Sequence, residues 1–126
     1  MQDFLENFFK GYVACVLWTG THDDDVGTPL DDDYTKDDFS EAAREAMWED
    51  CVDFVQDNWP ILAQYEKIPG CNGRQAGHDF SLTRNGHGAG FWDRDIGDIG
   101  DVLTNLSAQA GESHVYVSDD HELEIM

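Results

Sequence analysis

The sequence predicts an α+β protein, in which N-terminal helices precede a small antiparallel sheet of two hairpins with one further helix. Apolar residues recur every three to four positions in three segments, as helices with one buried face require. Two other segments carry short apolar or alternating runs around turn residues, as hairpin strands do. The length of 126 residues fits a single domain over residues 1–126.

The first helix is predicted over residues 3–18, with Gly20 ending it. Its apolar positions are Phe4, Leu5, Phe8, Phe9, Tyr12, Val13, Val16 and Leu17. Residues 19–38 follow with eight Asp, two Gly and one Pro, and their apolar residues show neither helical nor strand periodicity. We therefore predict an acidic loop there.

The second helix is predicted over residues 40–59, with Ser40 as the N-cap and Pro60 just beyond its end. Its expected buried stripe consists of Ala43, Met47, Cys51, Phe54 and Val55. Five acids stand at successive i, i+4 positions, and they are Glu41, Glu45, Glu49, Asp53 and Asp57. Neighbours in this carboxylate row share a helix face and lie about 6 Å apart along the axis. Because like charges at this spacing repel, the helix tolerates the row rather than gaining stability from it.

The stretch HDFSLTRNGHGAGFWDRD begins at residue 78, and we predict a hairpin over residues 78–94. Its first part alternates as a strand does, Asn85-Gly86 favours a type I′ turn, and the glycine-rich part is the return strand. Residues 61–77 before it are expected to be mostly connection. After it we predict a helix over 98–110 and a hairpin over 114–125. The inward residues of that helix are expected to be Ile99, Val102, Leu103 and Leu106.

The same stretch gathers residues that could carry chemistry. The candidates are His78, Asp79, Arg84, Asn85, His87, Asp93 and Arg94. His87 as a general base oriented by Asp93 would make a hydrolase site, and these two with His78 and Asp79 could supply metal ligands. However, no Ser or Cys stands as a recognisable nucleophile, and no HxH or HExxH spacing occurs. A hairpin that packs its aromatics and pairs its arginines with acids explains the stretch, so we predict no catalytic residue, metal or cofactor.

The formal net charge of −20, from 27 acids against seven Lys and Arg, is the strongest global signal. Such a charge repels nucleic acid and anionic membranes, so we expect neither as a direct partner. It favours attraction to the basic surface of a nucleic-acid-binding protein. Adaptation to high salt is the alternative, because acidity then maintains solubility without a specific partner.

Two further features bear on the compartment. The N-terminus carries Asp3 and Glu6 where a signal peptide needs positive charge, and no apolar run of about eighteen residues occurs. The three cysteines show no CxxC spacing and are expected to be free thiols in a reducing compartment. We therefore expect a cytoplasmic protein.

Four stretches carry a family resemblance: VLWTGTHDDDVGTPLDDDY, AGHDFSLTRNGHGAGFWDRD, GDIGDVLTNLSAQAG and VYVSDD. Through them the chain resembles a family of small acidic, mostly uncharacterised proteins of bacteriophages and related mobile elements, over most of residues 14–120. The chain departs from the family pattern at Ser81, where the family has an aromatic residue, and the helix from Ser40 to Trp59 is the variable part. The resemblance implies an accessory role in the host-cell cytoplasm rather than a housekeeping enzyme, and it implies no specific activity.

Charge and resemblance together predict an acidic, DNA-mimic-like inhibitor of a host nucleic-acid-binding or defence protein. One DNA strand carries a charge about every 3.4 Å of helix axis, which the carboxylate row approximates coarsely. The expected interaction surface is this row together with the loop acids Asp23, Asp24, Asp25, Asp31, Asp32 and Asp33. A plain solvated face is the alternative interpretation of the row. A small enzyme or metal- or ligand-binding protein using the His78–Arg94 stretch, and a protein adapted to high salt, remain alternatives.

Overall fold

The computed structural model describes residues 1–22 and 27–126. These residues form five α-helices, three 3-10 helices and one two-stranded antiparallel sheet, so the fold is α+β with helices dominating. The α-helices are α1 (Gln2–Thr19), α2 (Glu41–Asp57), α3 (Trp59–Glu66), α4 (Gly73–Arg84) and α5 (Asp98–Gln109). The strands are β1 (Val115–Val117) and β2 (Leu123–Ile125), and the 3-10 helices span Leu30–Asp32, Lys36–Asp38 and Phe91–Asp93.

Helix α1 covers the first predicted helix and buries the predicted face. Of its eight apolar positions, Phe9 is half-buried and the other seven are buried. The segment predicted as an acidic loop contains two 3-10 helices, and the first of them buries Leu30 completely. Three of the predicted loop acids, Asp23, Asp24 and Asp25, lie outside the described residues.

Helix α2 begins after Ser40, whose hydroxyl oxygen accepts a hydrogen bond from the Ala43 N–H at 3.1 Å. All five residues of the predicted stripe are buried. The chain then turns at Asn58 and starts α3, with Pro60 in its first turn. Proline is tolerated there because the first N–H groups of a helix have no intrahelical partner. The prediction of a connection over residues 61–77 missed α3, because Pro60 was interpreted only as a stop.

The predicted hairpin over residues 78–94 is wrong: its first half is the end of helix α4. Asn72 caps this helix by accepting a hydrogen bond from the Gln75 N–H. The alternation of apolar and polar residues had suggested one exposed strand face. However, Phe80, Ser81 and Leu82 are all buried, so no such face exists.

The Asn85-Gly86 pair ends α4 instead of turning a hairpin. Gly86 takes a left-handed φ of 68°. Its N–H donates to the Thr83 carbonyl at 3.2 Å, and the His87 N–H donates to the Leu82 carbonyl at 3.0 Å. These two bonds form a Schellman motif, which satisfies carbonyls at a helix C-terminus. The rest of the predicted return strand is irregular apart from the 3-10 helix Phe91–Asp93.

Glycines let α1 and α4 approach each other closely. A Cβ on Gly77 would lie 1.8 Å from the Phe8 carbonyl oxygen, and one on Gly11 would lie 1.9 Å from the Arg74 carbonyl oxygen. Both distances are far below van der Waals contact, so larger residues cannot fit without moving backbone. The crossing brings Phe80 to 5.6 Å from Phe8, between ring centroids.

The C-terminal hairpin and α5 complete the core. Strands β1 and β2 pair antiparallel, and Leu123 is fully buried. This is the one of the two predicted hairpins that is observed among the described residues. In α5, Leu103 is buried as predicted, whereas Val102 is 42% exposed and was wrongly placed inward. None of the described helices has both the length and the apolar character to cross a membrane.

Candidate functional site

Asp79 and Arg94 are two candidates from the stretch HDFSLTRNGHGAGFWDRD, called the central stretch below, and they form a structural ion pair. The Asp79 side chain is fully buried in α4, and Arg94 follows the 3-10 helix Phe91–Asp93. Arg94 Nε and Nη2 donate to the two carboxylate oxygens of Asp79 at 2.9 and 2.8 Å. Gln75 Nε2 donates a further bond at 3.1 Å. Both carboxylate oxygens are therefore occupied, so Asp79 has a structural role.

Arg84 is also held by the fold. Its Nη1 donates to Asp50 Oδ2 at 2.8 Å and to the Tyr12 hydroxyl at 3.1 Å. Its Nε donates to the Gly111 carbonyl at 2.8 Å, and its guanidinium carbon lies 5.0 Å from the centre of the Phe80 ring. Burial acts to lower the pKa of Arg84, but Tyr12 and Asp50 reverse this and raise it. Arg84 thus ties α4 to α1 and α2 as a permanent cation.

His78 is the candidate that the structure leaves partly unsatisfied. It is half-buried, and its ring lies 5.5 Å from the ring of the exposed Trp18. Its Nδ1 is buried without a hydrogen-bond partner among the described residues. Burial lowers the pKa of His78, and the nearby Arg94 and Arg74 lower it further against the opposing effect of Asp79. His78 is therefore favoured as a neutral ring beside two guanidinium groups.

The predicted pair of a general base and its orienting acid is not assembled. His87 is exposed after the end of α4, and its side chain makes no hydrogen bond or ion pair within the described part of the chain. Asp93 instead accepts a hydrogen bond from the Gly90 N–H at 3.0 Å. Across residues 1–22 and 27–126, no group of three or more His, Cys, Asp or Glu side chains could hold a metal ion. Asn85, the remaining candidate, accepts a bond from the Ser113 N–H.

The carboxylate row of α2 lies on an exposed face of that helix. All five members are exposed: Glu41, Glu45, Glu49, Asp53 and Asp57. Within the described residues, no Lys or Arg forms an ion pair with any of them. The described loop acids Asp31, Asp32 and Asp33 are exposed as well, and Asp33 lies 2.9 Å from His22 Nε2. The row therefore presents five carboxylates that have no Lys or Arg partner within residues 1–22 and 27–126.

An acidic groove adjoins this row between α2 and α5, with a volume of about 420 Å³. Asp53 and Asp57 from the row line it together with Asp50, and Arg84, which is paired with Asp50, lines it as well. The Arg84 guanidinium already lies against the Phe80 ring and binds Asp50, so the exposed carboxylates of Asp53 and Asp57 are the acceptors that this groove offers to a cation. The negative charge of the groove is thus concentrated at the end formed by Asp53 and Asp57.

Sequence reasoning missed Asp50 as part of this surface. Asp50, Asp53 and Asp57 stand at i, i+3 and i+7 of one helix, and this spacing predicts that they share a face. The contribution of α5 to the groove could not be predicted from the sequence, because it depends on how two helices that are distant in sequence pack together.

No protein-family model, no curated protein and no solved structure matches the chain.

Proposed function

We propose that this protein is a phage-type accessory protein that acts in the host-cell cytoplasm as a DNA-mimic-like inhibitor. Its target would be the basic surface of a host nucleic-acid-binding or defence protein. The observation that carries the proposal is the exposed, unpaired carboxylate row along α2. The phage-type role is part of this proposal and rests on the resemblance described for the sequence.

The dimensions of the row suit a nucleic-acid-binding surface. Glu41 and Asp57 are sixteen residues apart, which is about 24 Å along a helix. A DNA strand presents about seven phosphates over that length. Neighbouring carboxylates share a face, but the row drifts around the helix by about 40° per step, so it reproduces this charge density only at a coarse level. Asp53 and Asp57 extend the row into the adjoining groove. The phosphate-binding surface of a target protein would meet comparable hydrogen-bond acceptors in the carboxylate row.

The energetics of the row favour an external partner. Like charges at i, i+4 destabilise a helix, and a Lys or Arg between them would relieve the repulsion at no structural cost. Only Arg44 stands within the row's length of helix, and it lies 3.8 Å from Asp37 instead. A basic partner would therefore neutralise charges that α2 itself leaves uncompensated.

Affinity capture from host lysate tests the proposal. We expect the immobilised protein to retain a nucleic-acid-binding protein at about 0.1 M salt and to release it as screening increases. Duplex DNA should compete for the captured target, because the two would bind one surface. The triple variant Glu45→Lys, Glu49→Lys and Asp53→Lys should lose the target.

A matched control separates the row from net charge. Glu66, Glu112 and Glu122 are exposed glutamates outside α2, and changing all three to Lys alters the charge by the same amount. This control should keep the target. Equal losses in both triple variants would mean that only total charge matters, and a capture that stays empty at low salt would refute the proposal.

A further inference from the structure

A second groove, with a volume of about 560 Å³, runs between α1 and the chain that leads into α2. Its apolar lining consists of Phe9, Val13, Ala14, Leu17, Phe39 and Met47. Phe9, Val13 and Leu17 stand at i, i+4 and i+8 of α1, so the apolar floor extends about 12 Å along this helix. This length exceeds what a single side chain needs and suits several residues of a bound segment.

Basic side chains surround this apolar groove. Four of the seven Lys and Arg residues of the chain line it: Lys10, Lys36, Arg44 and Arg74. The acid among its lining residues is Asp37, which lies 3.8 Å from Arg44. Of the other three cations, Arg84 and Arg94 are held in the ion pairs with Asp50 and Asp79.

The positive charge around this groove contrasts with the net negative charge of the whole chain. A protein with 27 acids thus places around one apolar groove three of the four Lys and Arg side chains that form no ion pair within the described residues: Lys10, Lys36 and Arg74. Scattered solubilising lysines would not produce such a pattern. The groove is thus complementary to a ligand that is both apolar and negatively charged.

The positions of the cations indicate the shape of that ligand. Lys10 and Arg74 belong to α1 and α4, whereas Lys36 and Arg44 belong to the 3-10 helix Lys36–Asp38 and to α2. The two pairs therefore come from different elements, which we take as the two walls of the groove beside the apolar α1 floor. A small anion with one carboxylate would engage one wall, but a peptide with acids on both edges would engage both.

We propose that this groove binds a short peptide segment of a partner protein, in which apolar side chains are flanked on both sides by Asp or Glu. The apolar residues would pack on the α1 floor, and the acids would pair with Lys10 and Arg74 on one wall and Lys36 and Arg44 on the other. Such binding follows the general mode in which an amphipathic segment lies in an apolar groove. This surface is separate from the carboxylate row, so the two proposals succeed or fail independently.

The net charge of the protein does not prevent this binding. At physiological ionic strength, exposed charges beyond about 8 Å are largely screened. An acid of the peptide inside the groove therefore responds mainly to the cations that line it. Charge-assisted hydrogen bonds to Lys and Arg are short and strong when partly shielded from water.

A selection from a library of random, surface-displayed dodecapeptides tests the proposal on the full-length protein. We expect the enriched peptides to combine apolar residues with several acids. Their binding should weaken about tenfold or more in the variant Lys10→Gln/Arg74→Gln and again in Lys36→Gln/Arg44→Gln. Lys67→Gln removes a cation outside the groove and should leave binding unchanged. Circular dichroism melts would confirm that each variant is folded.

Three results would overturn the proposal. The first is a selection without any binder that depends on the four groove cations. The second is a set of groove-dependent peptides without acids, which would make the groove a purely apolar site. The third is evidence for another occupant of the groove. Such evidence would be saturable binding of decanoate with which the peptides do not compete, or a wild-type dimer in sedimentation experiments that the variant Lys10→Gln/Arg74→Gln dissociates.

Discussion

The Arg94 guanidinium binds both oxygens of the Asp79 carboxylate, which is fully buried, at 2.9 and 2.8 Å. This pair joins α4 to the loop that follows the 3-10 helix Phe91–Asp93. The hydrogen bonds to Asp79 also raise the pKa of Arg94, so the guanidinium stays charged under all ordinary conditions. The two most chemically suggestive residues of the central stretch thus neutralise each other.

Replacing Arg94 with Ala should therefore destabilise the fold through Asp79. The variant leaves a buried carboxylate whose remaining side-chain donor is Gln75. We expect a loss of about 2 kcal/mol in urea unfolding, which is less than for a fully buried pair because the Arg94 side chain is 38% exposed. The double variant Arg94→Ala/Asp79→Asn should be more stable than Arg94→Ala alone. If the double variant is the less stable of the two, Asp79 does not depend on Arg94 for its charge balance.

Gly77→Ala tests the close approach of α1 and α4. Alanine is the better helix former by about 1 kcal/mol, so a glycine in free space would gain stability from this change. Here the added Cβ would lie 1.8 Å from the Phe8 carbonyl oxygen, so one helix must shift. We expect a net loss of about 2 kcal/mol or more. Asn105→Ala on the exposed side of α5 is the control, and it should change the unfolding free energy by less than about 0.5 kcal/mol.

Gly86→Ala tests the assignment of Asn85-Gly86 as a helix end. Gly86 has φ of 68° and no atom within 4 Å of a Cβ placed on it, so the cost of alanine is conformational alone. We expect a loss of about 1 kcal/mol in thermal or urea unfolding. Gly86→Asn should cost less, because asparagine tolerates the left-handed region. A cost that grows with side-chain size would instead indicate steric contact at this position.

The same dipeptide explains where sequence reasoning failed. Asn-Gly suits both a hairpin turn and a helix C-terminus, and the six residues before it fit either period. Longer periodic segments left no such ambiguity: α1 and α2 were predicted with nearly all of their buried residues. The hydrogen-bond partners of Arg84 could not be predicted from the sequence for another reason. Tyr12 lies 72 positions away and Asp50 lies 34 positions away, so only the tertiary packing unites them.

The cysteines should differ in reactivity toward an aromatic disulfide reagent at about pH 8. Cys15 and Cys51 are fully buried, and burial raises the pKa of Cys15 to about 11 and that of Cys51 well above its usual value. Because the thiolate is the reactive form, both should react only through unfolding. Cys71 is half-buried and should react first. Cys71→Ser should abolish the fast phase, and a fast phase that survives would show that the α1 or α2 thiol is accessible.

Glu45→Lys separates mimicry from adaptation to high salt. The new lysine would stand four residues after Glu41 and four before Glu49, which converts two repulsions into two attractions. We expect the unfolding free energy at about 0.1 M salt to rise by up to about 1 kcal/mol, and the gain to shrink at about 1 M. The wild type should already unfold cooperatively at the lower salt, because its buried core does not depend on screening. If the wild type folds only near molar salt, the acids serve salt adaptation. If it folds at low salt and Glu45→Lys stabilises it, the row is a stability cost that target binding would offset.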